Sequence, residues 1–104
     1  MRSKYISYLG LATRSRKLVS GENTCEAYLK KNQVKLLIIA EDCAENTKNK
    51  FSRIAESNDI KYFINGSKEE ISNAIGQYNR SVIAILDLNW ANVIELELMN
   101  RSSN

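Results

Sequence analysis

The residues best suited to chemistry form a short basic stretch near the N-terminus. Arg14, Arg16 and Lys17 supply two guanidinium groups and one ammonium group, which bind phosphate oxygens through forked and single contacts. Ser20 and Gly21 follow, and a glycine lets the backbone approach a ligand closely. This combination predicts an anion-binding site, although each of its parts is common in proteins.

A helix predicted to begin at Glu22 would add to this site. The unpaired N–H groups and the dipole at a helix N-terminus attract anions. Asn23 and Thr24 lie in the first turn and carry neutral polar groups that can bind base edges or sugars. The same residues also suit ordinary helix capping, so the pattern alone leaves both interpretations open.

No combination of residues indicates an enzyme. The chain has no histidine, which is the commonest general base and metal ligand. Cys25 and Cys43 lack the short spacing of a zinc site or a redox pair, and small buried side chains explain them better. Glu41 and Asp42 are adjacent carboxylates that a polar turn explains. Two isolated cysteines favour a reducing, cytoplasmic setting.

Length and charge narrow the class of protein. The chain has 104 residues, enough for one domain, and its charged fraction of 26% is ordinary. Residues 1–35 carry eight basic and two acidic side chains, whereas residues 36–104 carry seven basic and ten acidic ones. This asymmetry fits either contact with a polyanion or a solvated basic face. The longest apolar run, residues 36–40, is too short to span a membrane, and we see no signal peptide.

The hydrophobic pattern predicts helices alternating with strands. Helices are expected over residues 4–13, 22–31, about 47–57, 67–76 and about 88–99, with strands over residues 18–19, 34–40, 61–64 and 82–86. A frayed tail is expected over residues 101–104, which leaves residues 1–100 as a single domain. This alternation predicts a three-layer α/β/α sandwich around a short, largely parallel sheet.

Capping residues refine the predicted helix starts. Asn46 or Thr47 is expected to cap the third helix, and Asp87 or Asn89 the last one. In the fourth helix, Ser67 and the glutamate three residues later form a capping box.

Three segments of the chain resemble a known family. They are GLATRSRKLVSGE at residues 10–22, KLLIIAED at residues 35–42 with Asn46, Thr47 and Lys50 after it, and AIG at residues 74–76 with Arg80 and VIAILD at residues 82–87. In this order they resemble the YlxQ-type bacterial members of the kink-turn-binding ribosomal protein L7Ae/L30e family. The resemblance covers nearly the whole chain and implies an α/β/α sandwich with a mixed, four-stranded sheet.

The resemblance also implies a ligand and a surface. Such proteins bind a sharply bent RNA duplex with tandem G·A pairs, through segments matching residues 21–27 and 77–81 here. Strong RNA binders of the family carry Asn-Glu-x-x-Lys at the helix start. This chain keeps the asparagine as Asn23, but Thr24 and Ala27 stand in place of the glutamate and the lysine. Arg16 stands where many relatives have a small residue and adds a positive charge.

We therefore expect a non-enzymatic RNA-binding protein, associated with the ribosome, that recognises a kink-turn or a similar bent RNA. The predicted RNA-binding residues are Arg14, Arg16, Lys17, Gly21, Glu22, Asn23, Thr24, Tyr78, Asn79, Arg80 and Ser81. We expect a cytoplasmic monomer without a cofactor, a metal ion or a membrane contact. The alternative is a protein-interaction module on the same fold, which the missing glutamate and lysine favour.

Overall fold

Helices and strands alternate along the chain in the computed structural model, which describes residues 4–102. The elements are α1 (Lys4–Arg14), β1 (Leu18–Ser20), α2 (Glu22–Lys30), β2 (Leu36–Ile39), α3 (Glu45–Ser57), β3 (Tyr62–Ile64), α4 (Lys68–Ala74), β4 (Val82–Ile85) and α5 (Leu88–Ser102). The last helix continues three residues beyond its predicted end. The predicted frayed tail therefore begins inside α5, and its residues 103 and 104 lie outside the described part of the chain.

The four strands form one mixed sheet in the order β1-β4-β2-β3. β2 and β3 are parallel, whereas β4 runs antiparallel to both β1 and β2. The prediction of a largely parallel sheet is therefore wrong, and the mixed sheet implied by the family resemblance is confirmed. The reason lies in α4, whose seven residues span only about 10 Å. β4 starts at the edge of the sheet where β3 ends and runs in the opposite direction, so α4 does not have to return the chain along the length of the sheet.

The helices form one layer on each face of the sheet. α2 and α3 pack against each other and against the strands on one face, while α1, α4 and α5 pack together on the other. All residues of the central strands β2 and β4 are buried between the two layers. Tyr5 and Leu9 of α1 and Phe51 of α3 are among the largest fully buried side chains of the core. The α/β/α sandwich is confirmed.

Two helix caps agree with the sequence. The Ser67 hydroxyl accepts a hydrogen bond from the Glu70 amide at 3.0 Å and caps α4. The Asp87 carboxylate accepts one from the Trp90 amide at 3.0 Å and caps α5. No helix within residues 4–102 is long and apolar enough to cross a bilayer.

The predicted cap of α3 is wrong. The helix begins after Ala44, which has no side chain able to cap it, so neither Asn46 nor Thr47 holds that position. Thr47 is instead buried, and its hydroxyl donates a hydrogen bond to the Glu22 carboxylate at 3.3 Å. The Thr47 hydroxyl, which the sequence predicted as a helix cap, instead joins α3 to α2.

The strand directions gather the connecting segments at two opposite edges of the sheet. At the first, here called the Gly21 edge, β1, β2 and β3 end and β4 begins, which brings together residues 21–24, 40–44, 65–68 and 77–81. At the second, here called the Lys17 edge, the same strands have their other ends, which brings together residues 15–17, 31–35, 58–61 and 86–87.

Candidate nucleic-acid interface

Gly21 joins β1 to α2 in a conformation that only glycine adopts readily, with φ 97° and ψ 149°. Its amide donates to the Val82 carbonyl at 3.0 Å, and its carbonyl accepts the first hydrogen bond of α2. No side chain caps this helix. The amides of residues 22–24 therefore have no acceptor in the described part of the chain, and their side chains are exposed. The positive end of α2 is open to an anion.

Packing on the inner side of α2 holds this helix start in place. Cys25 is fully buried, and its thiol lies 3.7 Å from the Val82 carbonyl. Burial raises the pKa of Cys25 to about 12, and the nearby Arg80 charge lowers it by less. On the outer side, Lys50 of α3 pairs with Glu26 at 2.8 Å, and this hydrogen bond lowers the pKa of Glu26. These contacts make α2 a fixed platform.

The Arg80 guanidinium lies directly against Gly21. A methyl group placed on Gly21 would sit 2.8 Å from Arg80 Nη1. Arg80 Nη2 donates to the Gln77 side-chain oxygen at 3.0 Å, whereas its Nε is buried without a hydrogen-bond partner in the described chain. Residues 21–24 and 77–81 therefore share one surface, with a partly buried cation at their junction.

Hydrogen bonds fix the backbone of the 77–81 loop. The Arg80 amide donates to the hydroxyl of Ser72, a buried residue of α4, at 2.8 Å. The Ser81 carbonyl accepts from the Ala40 amide at 2.8 Å, which ties the loop to the end of β2. Asn79 has a φ of 55°, in the left-handed region that asparagine tolerates well. The loop turns outward and leaves Tyr78 89% exposed.

An open groove of about 410 Å³ runs beside this loop. Its walls include Gln77, Tyr78 and Asn79 of the 77–81 segment, together with Asp42, Lys68 and Ser72, which are not among the predicted RNA-binding residues. Asp42 accepts a hydrogen bond from the Lys68 amide at 2.8 Å, so the turns after β2 and β3 are joined here. Local sequence did not assign Asp42, Lys68 and Ser72 to this surface, because their place in it depends on contacts between distant segments.

The structure does not bring Arg16 and Lys17 to this surface. The Lys17 carbonyl accepts from the Leu86 amide at 2.8 Å, which places Lys17 beside the end of β4, at the opposite edge of the sheet from Gly21. The length of β1, about 13 Å from residue 17 to residue 21, separates it from Gly21. Residues 14–24 therefore do not form one continuous site, and phosphate binding by Arg16 and Lys17 stays a prediction for a separate surface.

Arg14 differs from Arg16 and Lys17, because it lies near the surface formed by residues 21–24 and 77–81. It lines a cavity of about 330 Å³ between α1 and the end of α4, together with Asn73 and Gly76. Asn73 also borders the larger groove, so Arg14 adjoins the 77–81 loop.

The described residues offer little to a metal ion or a thiol mechanism. Within residues 4–102, no three side chains of the histidine, cysteine or carboxylate type lie close enough to hold a metal ion. Burial raises the pKa of Cys43 as it does that of Cys25, so both thiols stay protonated at neutral pH. Neither thiol is therefore present as a thiolate nucleophile at neutral pH.

Comparisons with known proteins agree with this architecture. The chain is 32% identical over 89 residues to the RNA-binding protein YlxQ of Bacillus subtilis, covering 86% of this chain and 89% of that protein. It is 33% identical over 90 residues to the RNA-binding protein YlxQ of Enterococcus faecium, covering 86% of each. A solved structure of a protein of unknown function from Bacillus halodurans superposes with a TM-score of 0.90 at 30% identity, covering 93% of this chain and 98% of that one. The model of the ribosomal protein L7Ae/L30e/S12e/Gadd45 family matches residues 4–95, and the chain therefore belongs to this family.

Proposed function

We propose that this chain is a non-enzymatic RNA-binding protein of the cytoplasm. It recognises a kink-turn or a similarly bent RNA through the Gly21 edge and works in association with the ribosome. Two relatives carry the name RNA-binding protein, which supports the general assignment. The observation that carries the proposal is the contact between Gly21 and Arg80, because it joins the open end of α2 to the 77–81 loop.

The groups at this edge match the parts of an RNA backbone. The open amides of α2 and the Arg80 guanidinium attract phosphate oxygens, and the missing side chain at Gly21 lets the backbone approach. Arg14, beside the loop, adds another cation. Glu22 is engaged with Thr47 and positions the helix.

Two side chains at the same edge suit bases. Asn23 is exposed in the first turn of α2 and presents a donor and an acceptor that can pair with a base edge. Tyr78 projects from the loop, and stacking of a base on such a ring contributes about 1–3 kcal/mol. Thr24 and Asn79 add neutral hydrogen-bonding groups between them. Asn23 would therefore recognise a base edge through hydrogen bonds, and Tyr78 would stack on a base.

The shape of the edge favours bent RNA over a regular duplex. In A-form RNA the major groove is too deep and narrow for side chains to read, and the shallow minor groove is recognised mostly through its shape, 2′-hydroxyls and phosphates. The Gly21 edge presents two short projecting segments and an open groove, which require bases that are unstacked or splayed. A sharp bend in the RNA supplies such bases.

The first test compares a kink-turn RNA with a copy whose G·A pairs are replaced. Binding of the purified chain to both is measured by fluorescence anisotropy at two salt concentrations. We expect tight binding to the kink-turn alone, with a difference that persists at the higher salt because it comes from shape and base contacts. Weak and equal binding that disappears with salt would reduce the site to a basic patch.

The second test removes the base-reading group. Asn23→Ala is expected to weaken binding to the kink-turn by about 1–3 kcal/mol, or roughly 5- to 150-fold, with little effect on a plain duplex. Asn92→Ala removes an equally exposed asparagine from α5 and serves as the matched control. Equal losses on both RNAs would count against base reading by Asn23.

One observation supports a second candidate, a protein-interaction module. Leu88, Leu96 and Met99 of α5 are all more than half exposed. An apolar helix face of this kind suits contact with another protein. This function would gain support if the chain showed no preference among the RNAs above.

A further inference from the structure

Four cations lie together at the Lys17 edge, opposite the proposed kink-turn site. The Lys17 carbonyl accepts from the Leu86 amide, and the Lys35 amide donates to the Ile85 carbonyl, each at 2.8 Å. Lys17 and Lys35 therefore flank the end of β4, and two strand spacings place their backbones about 10 Å apart. At this distance, close to one Debye length in physiological salt, their potentials overlap.

Arg16 and Lys31 extend this pair along the edge. Arg16 ends α1 in the left-handed conformation, with φ 60°. Lys31 caps the C-terminus of α2, where its ammonium lies 5.9 Å from the centre of the Tyr28 ring. All four basic residues are exposed. Two different connections of the fold, α1 to β1 and α2 to β2, contribute to the row, and the sheet brings them together.

None of these four cations has a carboxylate oxygen within 4.0 Å among the described residues. The ion pairs found among those residues involve other lysines. The paired lysines are Lys30, Lys48, Lys50 and Lys61. The acids of the Lys17 edge are Asp87, which caps α5, and Asp59, which lies in the turn before β3. Two acids against four unpaired cations leave this edge positive.

We propose that Arg16, Lys17, Lys31 and Lys35 bind the phosphate backbone of a second RNA segment, so that the protein bridges two RNA segments. The inference rests on the proposed function for the first segment. Long, flexible basic side chains on an exposed edge match a repeated negative charge rather than one defined group. The strands separate this row from Gly21, so the two edges contact different parts of an RNA.

The test removes charge from this row and leaves the Gly21 edge intact. The double variant Lys17→Gln/Lys35→Gln is compared with Lys4→Gln/Arg53→Gln, which removes the same charge from exposed positions of α1 and α3. Binding to a plain RNA duplex and to a minimal kink-turn RNA is measured over a range of salt concentrations. For the duplex, we expect the slope of log K against log salt to fall by about 1–2 units in the first variant only. Kink-turn affinity should change less than about twofold, because a minimal RNA occupies one edge.

A capture assay tests bridging directly. Immobilised kink-turn RNA saturated with protein should retain a labelled duplex with the wild-type chain and the control variant, but not with Lys17→Gln/Lys35→Gln. Unchanged slope and unchanged capture in that variant would overturn the second site, even where kink-turn preference persists. Lost kink-turn preference with a reduced duplex slope would overturn the proposed function instead and leave the basic row in place. Equal binding of poly-aspartate and duplex by this edge would overturn RNA as its partner.

Discussion

Replacing Arg16 with glycine should separate the stability of the protein from its affinity for RNA. Arg16 has a φ of 60°, its amide donates to the Thr13 carbonyl at 3.0 Å, and the next amide reaches the Ala12 carbonyl at 2.9 Å. This is the left-handed helix ending that usually carries glycine. A side chain in that conformation costs about 1–2 kcal/mol, while glycine loses about 0.5–1 kcal/mol more backbone entropy on folding. The net expectation for Arg16→Gly is a gain of about 0.5 kcal/mol.

The assay pairs Arg16→Gly with Arg16→Ala, because both remove the guanidinium but only glycine relieves the backbone. A difference of about 0.5 kcal/mol in favour of glycine corresponds to roughly 2–4 °C in melting temperature for a domain of this size. Both variants should lower the salt slope of duplex binding by about one unit, because one phosphate contact is lost. A glycine variant that melts below the alanine variant would refute the conformational argument. Unchanged slopes would remove Arg16 from the RNA surface.

Two further predictions concern Gly21 and Cys25. Gly21→Ala and Gly76→Ala each strain a backbone of positive φ and should each cost about 1–3 kcal/mol of stability, measured by denaturant unfolding. Only the first should also weaken kink-turn binding, because a methyl group at Gly21 meets Arg80 and one at Gly76 meets nothing within 4 Å; equal binding losses would contradict this. Burial and a pKa of about 12 should protect Cys25 from iodoacetamide at pH 8 in the folded protein, and rapid native labelling seen by mass spectrometry would contradict its packing.

The central strands were predictable because their local pattern and their environment agree. The apolar runs at residues 36–40 and 82–86 contain the strands Leu36–Ile39 and Val82–Ile85, which are covered on both faces, and a continuous apolar run indicates such burial. Ser67 was predicted outright and Asp87 as one of two candidates, and each caps a helix through an amide three residues away. Interactions over such short stretches are visible in sequence.

Strand direction and the start of α3 were not predictable in the same way. Alternation of helices and strands indicates layers, but it does not show that β4 enters between β1 and β2 in the opposite direction. Thr47 had the right type and position for a cap, yet its hydroxyl binds Glu22 of another helix. In both cases a tertiary contact outweighs a local preference.

Only part of the candidate site could be predicted from local sequence, because the rest is brought together by contacts across the sheet. Asn23 and Thr24 follow a glycine, which local reasoning identifies as a helix start. Arg80 joined them only through the family resemblance, because nothing near Arg80 in sequence places it against Gly21. Closeness in sequence also grouped Lys17 with Gly21, but strand β1 lies between them and separates them.

The two edges differ in rigidity in the way that their proposed ligands require. At the Gly21 edge, the Gly21 amide donates to the Val82 carbonyl and the Arg80 amide to the buried Ser72 hydroxyl, so the backbone that carries the proposed base contacts, Asn23 and Tyr78, is fixed before RNA arrives. Preorganisation of this kind lowers the entropy lost on binding, and base contacts depend on position. The exposed side chains of Lys17 and Lys35 have no partners to hold them among the described residues. Phosphates demand charge more than position, so flexible cations are sufficient there and adapt to whichever backbone segment the first contact brings near.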